Sequence, residues 1–272
     1  MIPLKMIKAI FQAAKAIITG EHFVYAQKPD GWYHGSEYVS KDALYAYRRS
    51  VKTLCKEIAE HFKADKPEVV IGPTIGAISL KDAVADYLSD FVGYEVLAVY
   101  ADEEDVVSER IIKVSFSDIS SLVEKLWDYT IVASGKVSIQ VRRGDLSPSK
   151  MTIVYQEKTG TRRVIKRGYD AHVKNRRCLL VEDVVNSGAT LQKTAKAVVD
   201  AGGILIGAGA LCNRSGGKVS AQTLGLPKLF SLLDLDMKMY KEEECPICKE
   251  GKIPVRTDLG KGKEFLQRIG KL

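Results

Sequence analysis

Val181-Glu182-Asp183-Val184-Val185-Asn186-Ser187-Gly188-Ala189-Thr190 is the stretch on which the reading of the whole chain turns. An apolar run ends in two adjacent acids, and a short polar loop then opens a helical pattern marked by Leu191, Ala195, Val198 and Val199. Backbone N–H groups at a helix N-terminus, joined by the hydroxyls of Ser187 and Thr190, make a cradle for a phosphate monoester. Gly188 lets the backbone approach such an anion closely. Two carboxylates beside a phosphate cradle repel the anion unless they face something else. A ribose diol, with a hydrated Mg2+ nearby, is the natural partner for the pair. The stretch is neither a Walker loop, which needs Gly-Lys-Ser/Thr, nor a G-x-G-x-x-G fingerprint. The bland alternative is a strand followed by a capped helix with surface acids.

Working outward, the same plan occurs twice. Val69-Val70-Ile71 leads into the turn Gly72-Pro73-Thr74-Ile75-Gly76, then a helical pattern (Leu80, Val84, Tyr87, Leu88) and the run Val96-Leu97-Ala98-Val99. The second copy starts at Cys178-Leu179-Leu180-Val181 and closes on Gly202-Gly203 and Ile204-Leu205-Ile206. Strand, loop, helix, strand, twice over, predicts an α/β fold with a parallel sheet flanked by helices. Ligands in such sheets sit at the carboxyl ends of the strands, where both polar turns fall. Residues 101–150 read as a small β-α-β-like insertion, with alternation at Ile111 to Phe116, a helical pattern from Ile119 to Trp127 and alternation again from Lys136 to Val141. At the N-terminus, Ile7, Ile10, Phe11, Ala14, Ile17 and Ile18 predict an amphipathic helix. Gly20 to Tyr38 has no clear period, and Lys41 to Phe62 predicts one long helix. The predicted division is therefore 1–45, 46–225 with the insertion, and an irregular tail over 226–272.

Composition sets bounds rather than answers. In 272 residues, 46% hydrophobic and 28% charged content suits a soluble globular protein with a full core. A net charge of +7 suits nucleic acid, a membrane surface or small polyanions equally. No run approaches the length of a membrane span, and an odd number of scattered cysteines argues for a reducing compartment, the cytoplasm by default. Cys245-Pro246-Ile247-Cys248 is half of a four-ligand metal site. No second pair accompanies it, and the histidines, at 22, 34, 61 and 172, are far off in sequence. The pair therefore reads as a turn with two buried thiols, and no residue is assigned as a metal ligand.

The 181–190 stretch resembles the phosphoribosyl-diphosphate (PRPP) signature of type I phosphoribosyltransferases. The resemblance implies that Glu182 and Asp183 hold the ribose hydroxyls, and that Asn186, Ser187, Gly188, Ala189 and Thr190 hold the 5-phosphate. Three more stretches are similar to orotate phosphoribosyltransferases. Gly20 to Phe23 with His34 to Tyr45 is similar to that family's N-terminal hood, which brings in Lys41. Ile71 to Ile78 is similar to its pyrophosphate loop, which brings in Pro73, Thr74, Ile75 and Gly76. Cys212-Asn213-Arg214-Ser215-Gly216-Gly217 resembles a "DRSGG" segment whose Arg, here Arg214, contacts the orotate carboxylate. The tail around Glu244 to Lys249 resembles the ending of one bacterial and archaeal branch. Implied with these are transfer of ribose-5-phosphate to N1 of orotate in pyrimidine (UMP) biosynthesis, Mg2+ as cofactor, and a homodimer. A mobile loop from Lys158 to Arg167 is also implied, whose cations Lys158, Arg162 and Arg163 act catalytically with Asp183.

The departures from that pattern are specific. Asn186 stands where the family usually has a Thr contacting the pyrimidine, Asn213 replaces an Asp, and the 158–167 stretch lacks a His. Taken singly, Lys41-Asp42 reads as helix-start chemistry, Gly72-Pro73 as a turn and Arg214 as a solvated loop cation. Two rival functions stay open: a phosphoribosyltransferase for a purine or modified pyrimidine, and a PRPP-sensing regulator that binds nucleic acid. Against the regulator, no helix-turn-helix pattern precedes the domain, and two anionic substrates account for the positive charge without nucleic acid or membrane.

Overall fold

The computed structural model describes residues 2–28, 30–115, 131–133, 137–141 and 150–271. In chain order the elements are α1 (Leu4–Ala13), β1 (Ile17–Lys28), β2 (Gly31–Val39), α2 (Lys41–Tyr45), α3 (Arg48–Phe62), β3 (Val69–Pro73), α4 (Ile78–Val92) and β4 (Leu97–Ser115). They continue as β5 (Ile131–Ala133), β6 (Val137–Val141), β7 (Lys150–Val164), α5 (Tyr169–Val173), β8 (Arg177–Val185), α6 (Ala189–Asp200) and β9 (Ile204–Asn213). The chain ends with α7 (Ala221–Leu224), β10 (Leu229–Asp234), β11 (Tyr240–Lys241), α8 (Pro246–Glu250) and α9 (Gly262–Arg268). Among the described residues no helix is long and apolar enough to cross a membrane. Two compact units form, one from Met1–Asp102 with Arg163–Leu272 and one from Glu103–Arg162.

In the first unit β10, β9, β8, β3 and β4 lie side by side in that order, and each described pairing among them is parallel. Strand β8 explains the arrangement. Its side chains alternate between faces with period two. Leu179 and Val181 enter a core with Leu54 and Ile58 of α3 and Leu80 and Val84 of α4. Cys178 and Leu180 enter another with Leu191, Ala195 and Val198 of α6. A continuous apolar run is what a parallel strand covered on both faces requires. The predicted α/β fold, a mainly parallel sheet flanked by helices, is the fold observed.

The N-terminal region departs from its prediction. Helix α1 stops at Ala13, Lys15 takes a left-handed φ of 51°, and Ile17, Ile18 and Thr19 pair with Val39, Tyr38 and Glu37. Ile17 and Ile18 fit the helical period, but a β-branched run favours a strand, and the hairpin partner decides. The predicted helix from Lys41 to Phe62 is two helices, broken at Tyr47 (φ −94°, ψ 69°). The break lets Leu44 enter the core while the Tyr45 hydroxyl donates to the carbonyl of Gly76 at 2.6 Å. The tail is ordered rather than irregular. Strand β11 extends the β1–β2 hairpin, Arg256 N–H donates to His22 O at 2.8 Å, and Phe265 of α9 meets Trp32 edge-on at 5.6 Å. This docking carries Cys245 and Cys248 to His22 and His34, so the expectation that the histidines lie too far off for the pair is corrected.

In the second unit the strand order is β4, β7, β6, β5, with β6 antiparallel to both neighbours. The helix predicted at Ile119 to Trp127 lies outside the described residues. The unit runs to Arg162, beyond the insertion boundary read at 150. Residues 158–164, read as part of a mobile loop, continue β7. The repulsion expected among their cations is offset by acids of β4: Lys158 pairs with Asp105 at 2.6 Å and Arg162 with Glu104 at 2.7 Å.

Coverage of both sheet faces makes a stability prediction. Leu179→Ala and Leu180→Ala, on opposite faces, each remove a fully buried side chain. Both should cost about 2–5 kcal/mol in denaturant unfolding. A Leu180 variant near wild type would mean that the α6 face is not a packed core.

Candidate active site

Strand β8 ends in the two acids. Glu182 and Asp183 are 7% and 5% exposed, so both carboxylates leave water. Asp183 Oδ1 accepts from Val184 N–H at 2.6 Å, and Asp183 Oδ2 lies 2.8 Å from Lys41 Nζ at the start of α2. Glu182 Oε1 accepts from Asp183 N–H at 3.2 Å, while Glu182 Oε2 is buried with no hydrogen-bond partner among the described residues. Burial first, then the neighbouring Asp183 charge, pushes the Glu182 carboxyl well above the ordinary carboxylate range. Burial opposes charge on Lys41, but the Asp183 carboxylate prevails and holds its pKa above the usual lysine value. Lys41, which alone reads as capping chemistry, pairs instead with Asp183; the cap of α2 is Ser40, whose hydroxyl accepts from Ala43 N–H.

The loop after β8 lines a cavity of about 80 Å³ with Glu182, Asn186, Ser187, Gly188, Ala189 and Thr190, opening at the first turn of α6. That volume holds several waters or one phosphate group. Gly188 has φ 75°, and a Cβ there would run into Leu224, so the turn admits only glycine. The loop thus leads straight into a helix N-terminus, whose backbone N–H groups and dipole favour an anion.

The turn after β3 lies against the acids. A Cβ on Gly76 would collide with Asp183 Oδ2 and Lys41 Nζ, so the close approach depends on its absence. Arg163 Nη1 donates to Thr74 Oγ1 at 2.9 Å and to Thr74 O at 3.0 Å, which ties the turn to the end of β7. Ile75 is 85% exposed at the tip. Sequence reading assigned Arg163 to departing pyrophosphate; in the structure it holds the turn after β3 through Thr74, a contact with no signal in the sequence.

Beside β8, Val185 pairs with Asn213 at the end of β9, which sets Arg214 next to the phosphate loop. The Arg214 guanidinium lies over the Tyr25 ring, 5.2 Å from its centre, and its Nε is buried without an acceptor among the described residues. Asn213 donates through Nδ2 to Val219 O at 3.0 Å and accepts through Oδ1 from Ser215 N–H at 3.1 Å. An aspartate has no donor for Val219, so this loop requires the amide. Tyr25, placed by the hairpin, was missed by sequence reading, since its strand pairs irregularly there.

The strained carboxyl of Glu182 has a pH signature. A group whose folded pKa is raised binds its proton more tightly in the folded state. Its contribution is full below the unfolded pKa and is lost as pH rises through the window from the ordinary carboxylate range to about 8. Glu182→Gln should therefore melt close to wild type at pH 4.5 and progressively above it toward pH 8, by thermal denaturation. A constant difference across that range would mean that Glu182 titrates normally.

Residues 40–223, more than half of the chain, match the family described as "Phosphoribosyl transferase domain". The orotate phosphoribosyltransferase of Caldanaerobacter subterraneus subsp. tengcongensis is 27% identical over 242 residues, covering 89% of this chain and 90% of that protein. The orotate phosphoribosyltransferase of Thermotoga maritima is 26% identical over 257 residues, covering 94% and 99%. The crystal structure of orotate phosphoribosyltransferase from Aeropyrum pernix is 15% identical with a TM-score of 0.47, covering 85% of this chain and 93% of that one. With a phosphate-sized loop cavity, a buried acid pair and a family match across both, the chain belongs to the phosphoribosyl transferase domain family.

Proposed function

We propose that this chain transfers ribose-5-phosphate from PRPP to N1 of orotate, releasing pyrophosphate and forming orotidine 5′-monophosphate. The observation that carries the orotate reading is Arg214: a guanidinium Nε buried without an acceptor among the described residues, directly after the strand that pairs with β8. A carboxylate on the base is the partner that a planar, permanently charged fork favours. The relatives named as orotate phosphoribosyltransferases, aligned over most of their length, support the same reading.

In the reaction the C1–O bond to pyrophosphate breaks, with its electron pair leaving on pyrophosphate. N1 of orotate gives up its proton and bonds C1. No nucleophilic side chain is needed. Positioning and electrostatic stabilisation carry the rate. The 186–190 loop holds the 5-phosphate, and Glu182 and Asp183 accept from the ribose hydroxyls. Lys41 and the turn Pro73, Thr74, Ile75 and Gly76 face pyrophosphate, with Arg163 fixing that turn. Lys158 and Arg162 pair with Asp105 and Glu104, surface ion pairs weak enough for an anion to displace. Glu182 Oε2, without a hydrogen-bond partner among the described residues, is an oxygen donor of the kind that would suit Mg2+ with its water shell. When bound, that ion neutralises charge on pyrophosphate.

The test separates bases. Arg214→Ala should lower kcat/KM for orotate by roughly 30- to 150-fold, the loss of a charge-assisted pair worth about 2–3 kcal/mol. Turnover of uracil, which lacks the carboxylate, should stay near its wild-type rate. Equal losses for both bases, or wild-type preference for a purine over orotate, would overturn the orotate assignment.

A further inference from the structure

A second polar cluster lies away from the acid pair. His22 on β1 and His34 on β2 face each other across the hairpin, with Nε2 of His22 and Nδ1 of His34 3.0 Å apart. Cys245 precedes α8 and Cys248 lies within it. Cys248 Sγ is 3.2 Å from His34 Nδ1 and 3.5 Å from His22 Nε2, and Cys245 Sγ is 3.8 Å from His22 Nε2. All four atoms fall within 4.8 Å of one another. A tetrahedral ion with Zn–N of about 2.0–2.1 Å and Zn–S of about 2.3 Å has ligand–ligand edges of about 3.3–3.8 Å. The quoted edges, 3.0 to 3.8 Å, lie close to that range.

Burial and protonation agree with the distances. His34 and Cys245 are 0% exposed and His22 is 3% exposed, so the cluster is closed to water on most sides. His22 Nδ1 faces the carbonyl of Ile253 at 3.3 Å. A carbonyl accepts only, so Nδ1 carries the proton and Nε2 turns its lone pair into the cluster, the usual support behind a metal-bound histidine. Two sulfurs and two imidazoles in tetrahedral reach select zinc over harder cations, and four protein ligands leave no open position for chemistry.

The surrounding packing gives the ion something to do. Among the described residues the hairpin and tail share Val24, Trp32 and Phe265 as a buried apolar cluster, with Val255 and Leu266 packed on it, and β11 is two residues long. That is little apolar area to hold the C-terminal tail. We propose that His22, His34, Cys245 and Cys248 form a structural zinc site that clasps the C-terminal segment to the β1–β2 hairpin. Loading converts both thiols to thiolates and releases their protons to solvent. Because Tyr25, under Arg214, belongs to the same hairpin, the ion also steadies the base side of the active site.

The test is zinc content of the full chain, purified under reducing conditions, reconstituted with Zn2+ and desalted. Elemental analysis should find about one zinc per chain. Cys245→Ser/Cys248→Ser should lose it, and His34→Cys, which leaves a Cys3His set, should keep it. If the double variant does not fold, Co2+ loading of the wild-type chain serves instead, with the intense visible absorption of a tetrahedral thiolate complex expected. A wild-type chain below about a tenth of an equivalent after reconstitution would overturn the site. So would zinc retained in full by the double variant, a weak octahedral cobalt spectrum, or a Cys245–Cys248 disulfide under these conditions.

Discussion

The contact between Lys41 Nζ and Asp183 Oδ2 at 2.8 Å is where the architecture converges. The end of β8, the start of α2 and the turn after β3 meet there, and Gly76 is the residue that leaves room. With the lysine side chain 39% exposed, the pair adds little to global stability. Its importance is local. Two adjacent carboxylates in a poorly solvated strand end repel each other, and one cation offsets part of that repulsion. Glu182 keeps the remainder as a raised pKa and an unpartnered oxygen. The site is thus built to receive hydrogen-bond donors, which on the proposed function are the ribose hydroxyls.

What was legible in the sequence follows local chemistry. The β8–α6 segment could be read because a two-residue strand period, two acids and a glycine turn all lie within ten residues, and none needs a distant partner. The sheet followed from repetition of the same plan at Val69 to Val99. Ile17 and Ile18 were misread because they satisfy a helical stripe and a strand equally, and only pairing with Tyr38 and Val39 decides. The cations of β7 were misread as a repelling loop because the acids that answer them stand more than 50 residues earlier. Cys245 and Cys248 looked isolated for the same reason: their histidines are separated from them by 211 to 226 positions and arrive through tail docking.

Departures from the family pattern become physical once the contacts are known. Asn213 is a loop-locking amide that must both donate and accept, so its difference from aspartate concerns loop shape rather than the base. Asn186 is different, since it lines the phosphate-sized cavity itself. Arg163 shows what residue type alone leaves out: it holds Thr74 in the turn after β3 by two hydrogen bonds, a contact that only the folded chain displays.

The central claim is that the buried acid pair at the end of β8 receives the ribose of PRPP. Titration calorimetry of PRPP with Mg2+ into the wild-type chain and into Glu182→Gln/Asp183→Asn tests it most directly, with circular dichroism to verify the fold. A charge-assisted acceptor at Asp183 worth about 1.5–3 kcal/mol and a second acceptor at Glu182 worth about 0.5–1.5 kcal/mol predict a loss of affinity of at least about 30-fold. A folded double variant that binds PRPP as tightly as wild type would contradict the account.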